Sequence, residues 1–200
     1  MAPSLRNRAF SLIELLTVIA IVAILLAIIV PTVGGARDSA DRAATKARFN
    51  QWAAAMELYR QEYGYYPDIA PNGLVDTDRF AAELTGRTLT GTSVQGNANW
   101  GNTKGLSFYA LATGDLDESG EELVDAFGNF EIAMRRDTNR DGRIDLSDTG
   151  NWVGVEGAES SSLNPTALPE AIPTNGVRAG VVFYSAGRGR DENDLVLSWK

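Results

Sequence analysis

Residues Phe10 to Val33, FSLIELLTVIAIVAILLAIIVPTV, form an apolar run whose one charge, Glu14, lies near its start. At about 1.5 Å of rise per residue, a helix of that length spans the roughly 30 Å hydrocarbon core of a bilayer. A soluble core helix seldom needs apolar surface on every side. A transmembrane helix is therefore expected over residues 10–33. Arg6 and Arg8 precede the run, whereas Arg37, Asp38, Asp41 and Arg42 after it nearly cancel. That asymmetry predicts a cytoplasmic N-terminus and a C-terminal body on the far side of the membrane.

A carboxylate at the membrane edge either sits at headgroup depth at little cost or has a partner, because burying it unpaired is expensive. A free α-amino group at Phe10, one helical turn from Glu14, would serve, and cleavage after Ala9 would create it. The stretch RNRAFSLIELLTVIAIVAILLAIIVP, with its basic leader, small Ala9, Phe10, Glu14 and an apolar run interrupted at Pro31, resembles the prepilin leader and N-terminal helix of type IV pilins and type II secretion pseudopilins. The resemblance implies a leader over residues 1–9, cut between Ala9 and Phe10 by a prepilin peptidase that also N-methylates Phe10. It further implies a single-pass inner-membrane protein with a periplasmic C-terminal domain. Its subunits would self-assemble into a helical fibre on an inner-membrane secretion or pilus platform. The family usually has Gly where this chain has Ala9, a departure that bears on the rate of cleavage. The competing targeting signal is a secretory one, cut at Gly34-Gly35-Ala36. Its apolar region would run only about 7–15 residues and would be interrupted by Glu14.

The remaining composition removes whole classes of chemistry. Among 200 residues there is neither Cys nor His, which excludes disulfide staples, thiolate sites and the usual imidazole ligands and bases. A net charge of −8 speaks against a nucleic-acid partner. Many type IV pilins close a C-terminal loop with a disulfide, so the lack of Cys tilts the resemblance toward pseudopilins. An enzyme on a membrane tether would be left with paired carboxylates, as in glycoside hydrolysis, and beyond the apolar run that holds Glu14 no acid lies in an apolar sequence setting that would raise its pKa.

Pro31 lacks the N–H of a helix interior, and Gly34-Gly35 adds a second weak point, so a kink or loosening is expected there. An amphipathic helix then resumes over 34–63. Phe49, Trp52, Met56, Tyr59 and Tyr63 recur every three or four residues and make one apolar stripe, the expected seam against a sheet. Arg48, Gln51, Glu57, Arg60 and Gln61 fall on the faces expected to be wet. Gly64 is the natural stop, and Tyr66-Pro67 forces an extended exit. Asp78 to Leu84 predicts a short helix with Phe80, Ala81 and Leu84 on one side, and residues 85–105 read as loop. Phe130, Ile132 and Met134 alternate with Glu131 and Ala133 as in a half-buried strand. VDAFGNFEI loosely resembles a segment of major pseudopilins in which Pro and Trp stand at Ala126 and Phe127. Residues 154–180 read as a surface connection, and Val181–Tyr184 with Leu195–Trp199 as a terminal hairpin.

The sharpest chemical motif is DTNRDGRIDLSD, residues 137–148. Asp137, Asn139, Asp141, Asp145 and Asp148 occupy the first, third, fifth, ninth and twelfth positions of a calcium loop, with Gly142 at the turn and the Arg143 carbonyl at the seventh. Its wording resembles dockerin-type loops more than EF-hands. The alternative is an acidic turn whose carboxylates are merely solvated. A similar acidic stretch from Asp115 is weaker, because Ala126 stands where the last ligand belongs. The C-terminal loop resembles that of major pseudopilins, where the region helps to bind calcium; by that resemblance Asp191 and Asp194 are second-choice ligands.

The expected fold is α+β and pilin-like: a long N-terminal helix, transmembrane in front and amphipathic behind, packed on a small antiparallel sheet, with a globular domain over 64–200. The expected function is structural, a major pseudopilin of a type II secretion fibre. A minor pseudopilin or a type IV pilin subunit stands second, and a membrane-tethered, calcium-dependent binding module is the contrasting class.

Overall fold

The computed structural model describes residues 11–148, 152–157, 159–168 and 170–200, excepting the side chains of 28–33, 160 and 161. The chain falls into two compact units, Met1–Ala40 and Asp41–Lys200. Helix α1, Leu12–Tyr63, contributes to both. In the first unit its described apolar side chains, from Leu12 to Leu26, stand exposed. Helical backbone continues through Pro31 and through Gly34-Gly35, where the Ser39 hydroxyl donates back to the Gly35 carbonyl at 3.0 Å. Among the described residues no helix is long and apolar enough to cross a membrane.

The second unit is α+β. Its sheet has the order β1-β4-β5, with β1 at Ile132–Arg136, β4 at Val181–Ser185 and β5 at Val196–Leu197. Both pairings are antiparallel; Met134 faces Phe183 in one and Tyr184 faces Leu197 in the other. The terminal hairpin is as the sequence predicts. So is the aromatic stripe of α1: Phe49, Trp52, Met56 and Tyr59 are fully buried, with Tyr63 packed at the margin. The stripe meets the face of the sheet that carries Ile132, Met134, Val181, Phe183 and Val196. Phe183 touches both Phe49 and Trp52, at centroid separations of 5.9 and 5.7 Å. The predicted short helix is present as α2, Thr77–Phe80, capped by the Asp76 carboxylate. It continues as a π-helical turn over Ala81–Thr85, and Phe80 and Leu84 join the same core. Gly64, at φ +83°, ends α1 as expected.

Three expectations need correction. β1 is buried on both faces rather than one, and Phe130 lies outside it, 67% exposed. The reason lies in the segment expected to be a surface connection. It forms an antiparallel pair, β2 at Val155–Gly157 and β3 at Ser160–Leu163. With Trp152, Ala171 and Trp199 it covers the second face of the sheet, where Ala133, Val182, Tyr184 and Leu197 point. Arg48, expected on a wet face, is also mostly buried: its Nε lies 3.0 Å from the Asp115 carboxylate, and a nitrogen donates to the Val124 carbonyl. The loop from Tyr109 to Asp125 folds over that side of α1 and turns a solvent position into an ion pair.

Trp52 touches Phe49, Phe80 and Phe183 at once, so its loss leaves a hole between helix and sheet that neither can close. Trp52→Ala is expected to cost about 3–5 kcal/mol, read as a lowered denaturant midpoint with an unchanged slope.

Candidate functional site

Ala9, Phe10 and the leader over 1–9 lie outside the described residues, as does the side chain of Pro31. Glu14 is described, and it serves the start of α1. Its Oε2 accepts the Ser11 N–H at 2.9 Å, and the Glu14 N–H donates to the Ser11 carbonyl at 3.1 Å. Helix starts leave their first N–H groups without intrahelical partners, and a Glu three residues beyond a Ser cap reaches back to satisfy one. The carboxylate also sits where the helix dipole favours negative charge. Ser11-x-x-Glu14 is a signature that could be read from sequence, and it gives Glu14 a local role beside the assembly role expected of it.

The loop from Asp137 to Asp148 closes on itself. Asp137 accepts the amides of Arg140 and Gly142 at 2.6 and 2.8 Å, and Asn139 accepts that of Asp141 at 2.9 Å. Asp141 accepts the Arg143 amide at 2.8 Å, and Asp145 that of Ser147 at 2.7 Å. Asp148 returns to the start of the loop, where its Oδ1 accepts the Thr138 amide at 2.8 Å and the Asn139 amide at 3.3 Å. Gly142, at φ +84°, takes the turn that a side chain would resist. Arg143 ties the loop outward, donating to the Asn175 carbonyl at 2.7 Å. Carboxylate and amide oxygens are the right kind of donor for calcium. Here they face the loop's own amides, and among the described residues no group of three or more acidic side chains is placed to hold a metal ion. The weaker loop from Asp115 behaves alike. Asp115 is buried against Arg48 and the Tyr109 hydroxyl, which it accepts at 2.7 Å. Asp117 accepts the Ser119 hydroxyl and nearby amides, which lower its carboxyl to about 2.

The C-terminal loop gathers more than the sequence suggested. Asp191 caps the turn Glu192–Asp194 by accepting the Asn193 amide at 2.8 Å. Asp194, 7% exposed, accepts Arg190 through both oxygens, from Nε at 2.7 Å and Nη2 at 2.8 Å. Buried Asp125, from the VDAFGNF segment, holds the other end of the loop. It accepts the Phe127 and Asn129 amides, the Asn129 side-chain amide and the Ser185 hydroxyl at 2.7–2.9 Å, and Asn129 in turn donates to the Gly187 carbonyl at 2.6 Å.

A polar cleft of about 810 Å³ is lined in part by Glu57, Tyr65, Asp68, Glu83 and Arg136. Its carboxylates hold protein partners: Glu57 pairs with Arg60 at 3.0 Å, Asp68 with Arg136 at 3.3 Å, and Glu83 accepts the Tyr59 hydroxyl at 2.9 Å. Tyr59 is raised well above the usual phenol range, chiefly by burial and then by the Glu83 charge. Glu83 is a site residue that sequence reasoning missed, because no polar periodicity marks it.

The model of the prokaryotic N-terminal methylation motif matches residues 4–30. That motif is characteristic of type IV pilins and pseudopilins. No curated protein and no solved structure matches the chain.

The Arg190 hydrogen bonds, ahead of the Arg42 charge, hold the Asp194 carboxyl below its usual value. A carboxyl with a lowered folded-state pKa stabilises the fold above its unfolded pKa, near 3.9, and loses that contribution as pH falls through the folded value. Asp194→Asn is therefore expected to narrow the stability difference between neutral pH and about pH 3, measured as denaturant midpoints of the full chain; an unchanged difference would show that the pair contributes nothing.

Proposed function

We propose that the chain is a prepilin-type structural subunit, processed at Phe10 and assembled through its N-terminal helix into a type II secretion pseudopilus. The observation that carries this reading is the methylation motif over residues 4–30, which overlaps the start of a helix whose apolar side chains from Leu12 to Leu26 stand exposed. Such a surface is costly in water and is covered either by lipid or by like helices. The absence of Cys favours a pseudopilus over a disulfide-closed pilin. On this reading residues 1–9 are the leader, 10–33 the membrane segment, 34–63 the amphipathic helix and 64–200 the periplasmic domain. Prepilin peptidase and an inner-membrane platform are the partners. The role is structural, and the carboxylates of the polar cleft hold the fold together.

Mass spectrometry of membrane-extracted protein should find a mature chain beginning at methylated Phe10. A chain beginning at Arg37 would point instead to secretory processing.

Glu14 has two roles to separate on this reading. Capping Ser11 needs only an acceptor, which Gln retains; pairing with the ammonium of an incoming Phe10 needs the charge. Glu14→Gln should leave the protein in the membrane fraction and abolish fibres, since a buried charge left without its partner costs about 3–5 kcal/mol. Fibres at the parental yield, counted by electron microscopy, would remove the pairing role.

Calcium belongs to the same reading as a proposal for the loop at 137–148, where it would draw Asp137, Asn139, Asp141, Asp145, Asp148 and the Arg143 carbonyl inward. The support is the donor set and the return of Asp148 to the loop's start. The full chain should then melt higher in calcium than in chelator, and Asp137→Ala should remove the difference. A ligand at a hundredfold excess over Kd adds about 2.7 kcal/mol; coincident melts would leave the loop a self-capped turn.

A further inference from the structure

The C-terminal loop gathers oxygen atoms as a cation site does. Three successive carbonyls, of Asn193, Asp194 and Leu195, converge on one point with the Asp194 carboxylate beside them. What they meet there is the guanidinium of Arg42, from α1. Its Nη1 donates to the Leu195 carbonyl at 2.8 Å, and its Nη2 to those of Asp194 at 3.0 Å and Asn193 at 3.4 Å. The same Nη2 lies 4.0 Å from Asp194 Oδ1. Arg190 takes the carboxylate from the other side, as a bidentate pair reinforced by its own backbone N–H at 3.1 Å. Asp191 turns away to cap the Asn193 amide. A Cβ at Gly187, which sits at φ +60°, would collide with the Asp194 carbonyl, so the chain closes tightly round this cluster.

We infer that Arg42 and Arg190 fill the place of a divalent cation in this loop, so that the C-terminal loop closes on the chain's own guanidinium groups and takes no calcium at Asp191 or Asp194. The chemistry favours the tethered cation. Calcium needs about six to eight oxygens at 2.3–2.6 Å, whereas both Asp194 oxygens are engaged in a fork-to-fork pair and the three carbonyls already accept from the Arg42 guanidinium. Guanidinium stays charged at every physiological pH and presents five N–H groups in a fixed plane. To admit calcium, the loop would have to expel Arg42 and strand its charge in a partly buried site. A tethered cation also brings no dependence on ion concentration, which a bound metal always does. This inference is independent of the fibre reading and of the calcium proposed at 137–148, because it concerns only Arg42 and residues 187–197.

The test is hydrogen–deuterium exchange of the full chain in detergent micelles, read by mass spectrometry over peptides covering 187–197, in calcium and in chelator. The parent should exchange equally in both. Arg42→Gln should speed exchange over these residues about tenfold or more, and Arg42→Lys, which keeps charge without the fork, should fall between. A calcium response that appears over 187–197 only in Arg42→Gln also supports the substitution of guanidinium for metal. Peptides over 137–148 report calcium binding at the other loop in the same samples, which keeps the two sites apart. Slower exchange over 187–197 in calcium for the parent overturns the inference, and so does unchanged exchange in a folded Arg42→Gln. The parent comparison needs no substitution, and Arg190→Gln, at a half-exposed side chain, is a second variant should Arg42→Gln fail to fold.

Discussion

The globular unit depends on one act of burial, the aromatic stripe of α1 against the sheet. Phe49, Trp52, Met56 and Tyr59 present large apolar area on one helix face, and Phe183 stands opposite them at the centre of β4. Each such side chain contributes roughly 1.5–3 kcal/mol when removed from water. The third strand is only two residues long, so the sheet is little more than the β1–β4 pair, which is marginal alone, and the helix supplies the surface it packs on. The reverse also holds, since residues 41–63 would be a marginal helix without that packing.

The second face of the sheet had to be covered too, because Ala133, Val182 and Tyr184 project from it. The chain meets this need with irregular structure: the β2–β3 pair, Trp152, and the final Trp199, whose indole donates to the Ala171 carbonyl at 2.6 Å. Tyr184 is held in the same layer by its hydroxyl, which donates to the Val153 carbonyl at 2.7 Å. The acidic loop joins the layer through the antiparallel bridge of Ile144 to Val177. Both expected cation loops are thereby tied to one continuous core.

Without disulfides, long loops are fixed by buried carboxylates. Asp115 takes Arg48 and Tyr109, Asp125 takes two backbone amides, Asn129 and Ser185, and Glu83 takes Tyr59 and the Gly101 amide at 2.6 Å. A buried carboxylate is tolerated only when its lone pairs are used, and losing one partner costs more than the bond is worth. These anchors therefore specify loop positions closely. The C-terminal loop follows the same rule with arginine as the second member.

The sequence by itself determined whatever rests on local pattern. A long apolar run with one early Glu, the three-and-four spacing of aromatics, Gly64 as a stop, and the paired apolar runs at the C-terminus were legible because periodicity and φ preference act within a few residues. The alternate Asp and Asn residues of 137–148 likewise marked a loop, but not the backbone amides that their side chains accept. Only the tertiary structure decided what those groups touch. Nothing near Arg48 in the chain points to Asp115, and nothing near Arg42 points to carbonyls more than a hundred and fifty residues away. Arg48 became buried, Phe130 stayed outside, and residues 155–163 became a strand pair because a sheet with two apolar faces must be covered on both. The partner of a charge or the cover of a face is set by long-range packing, which no local pattern encodes.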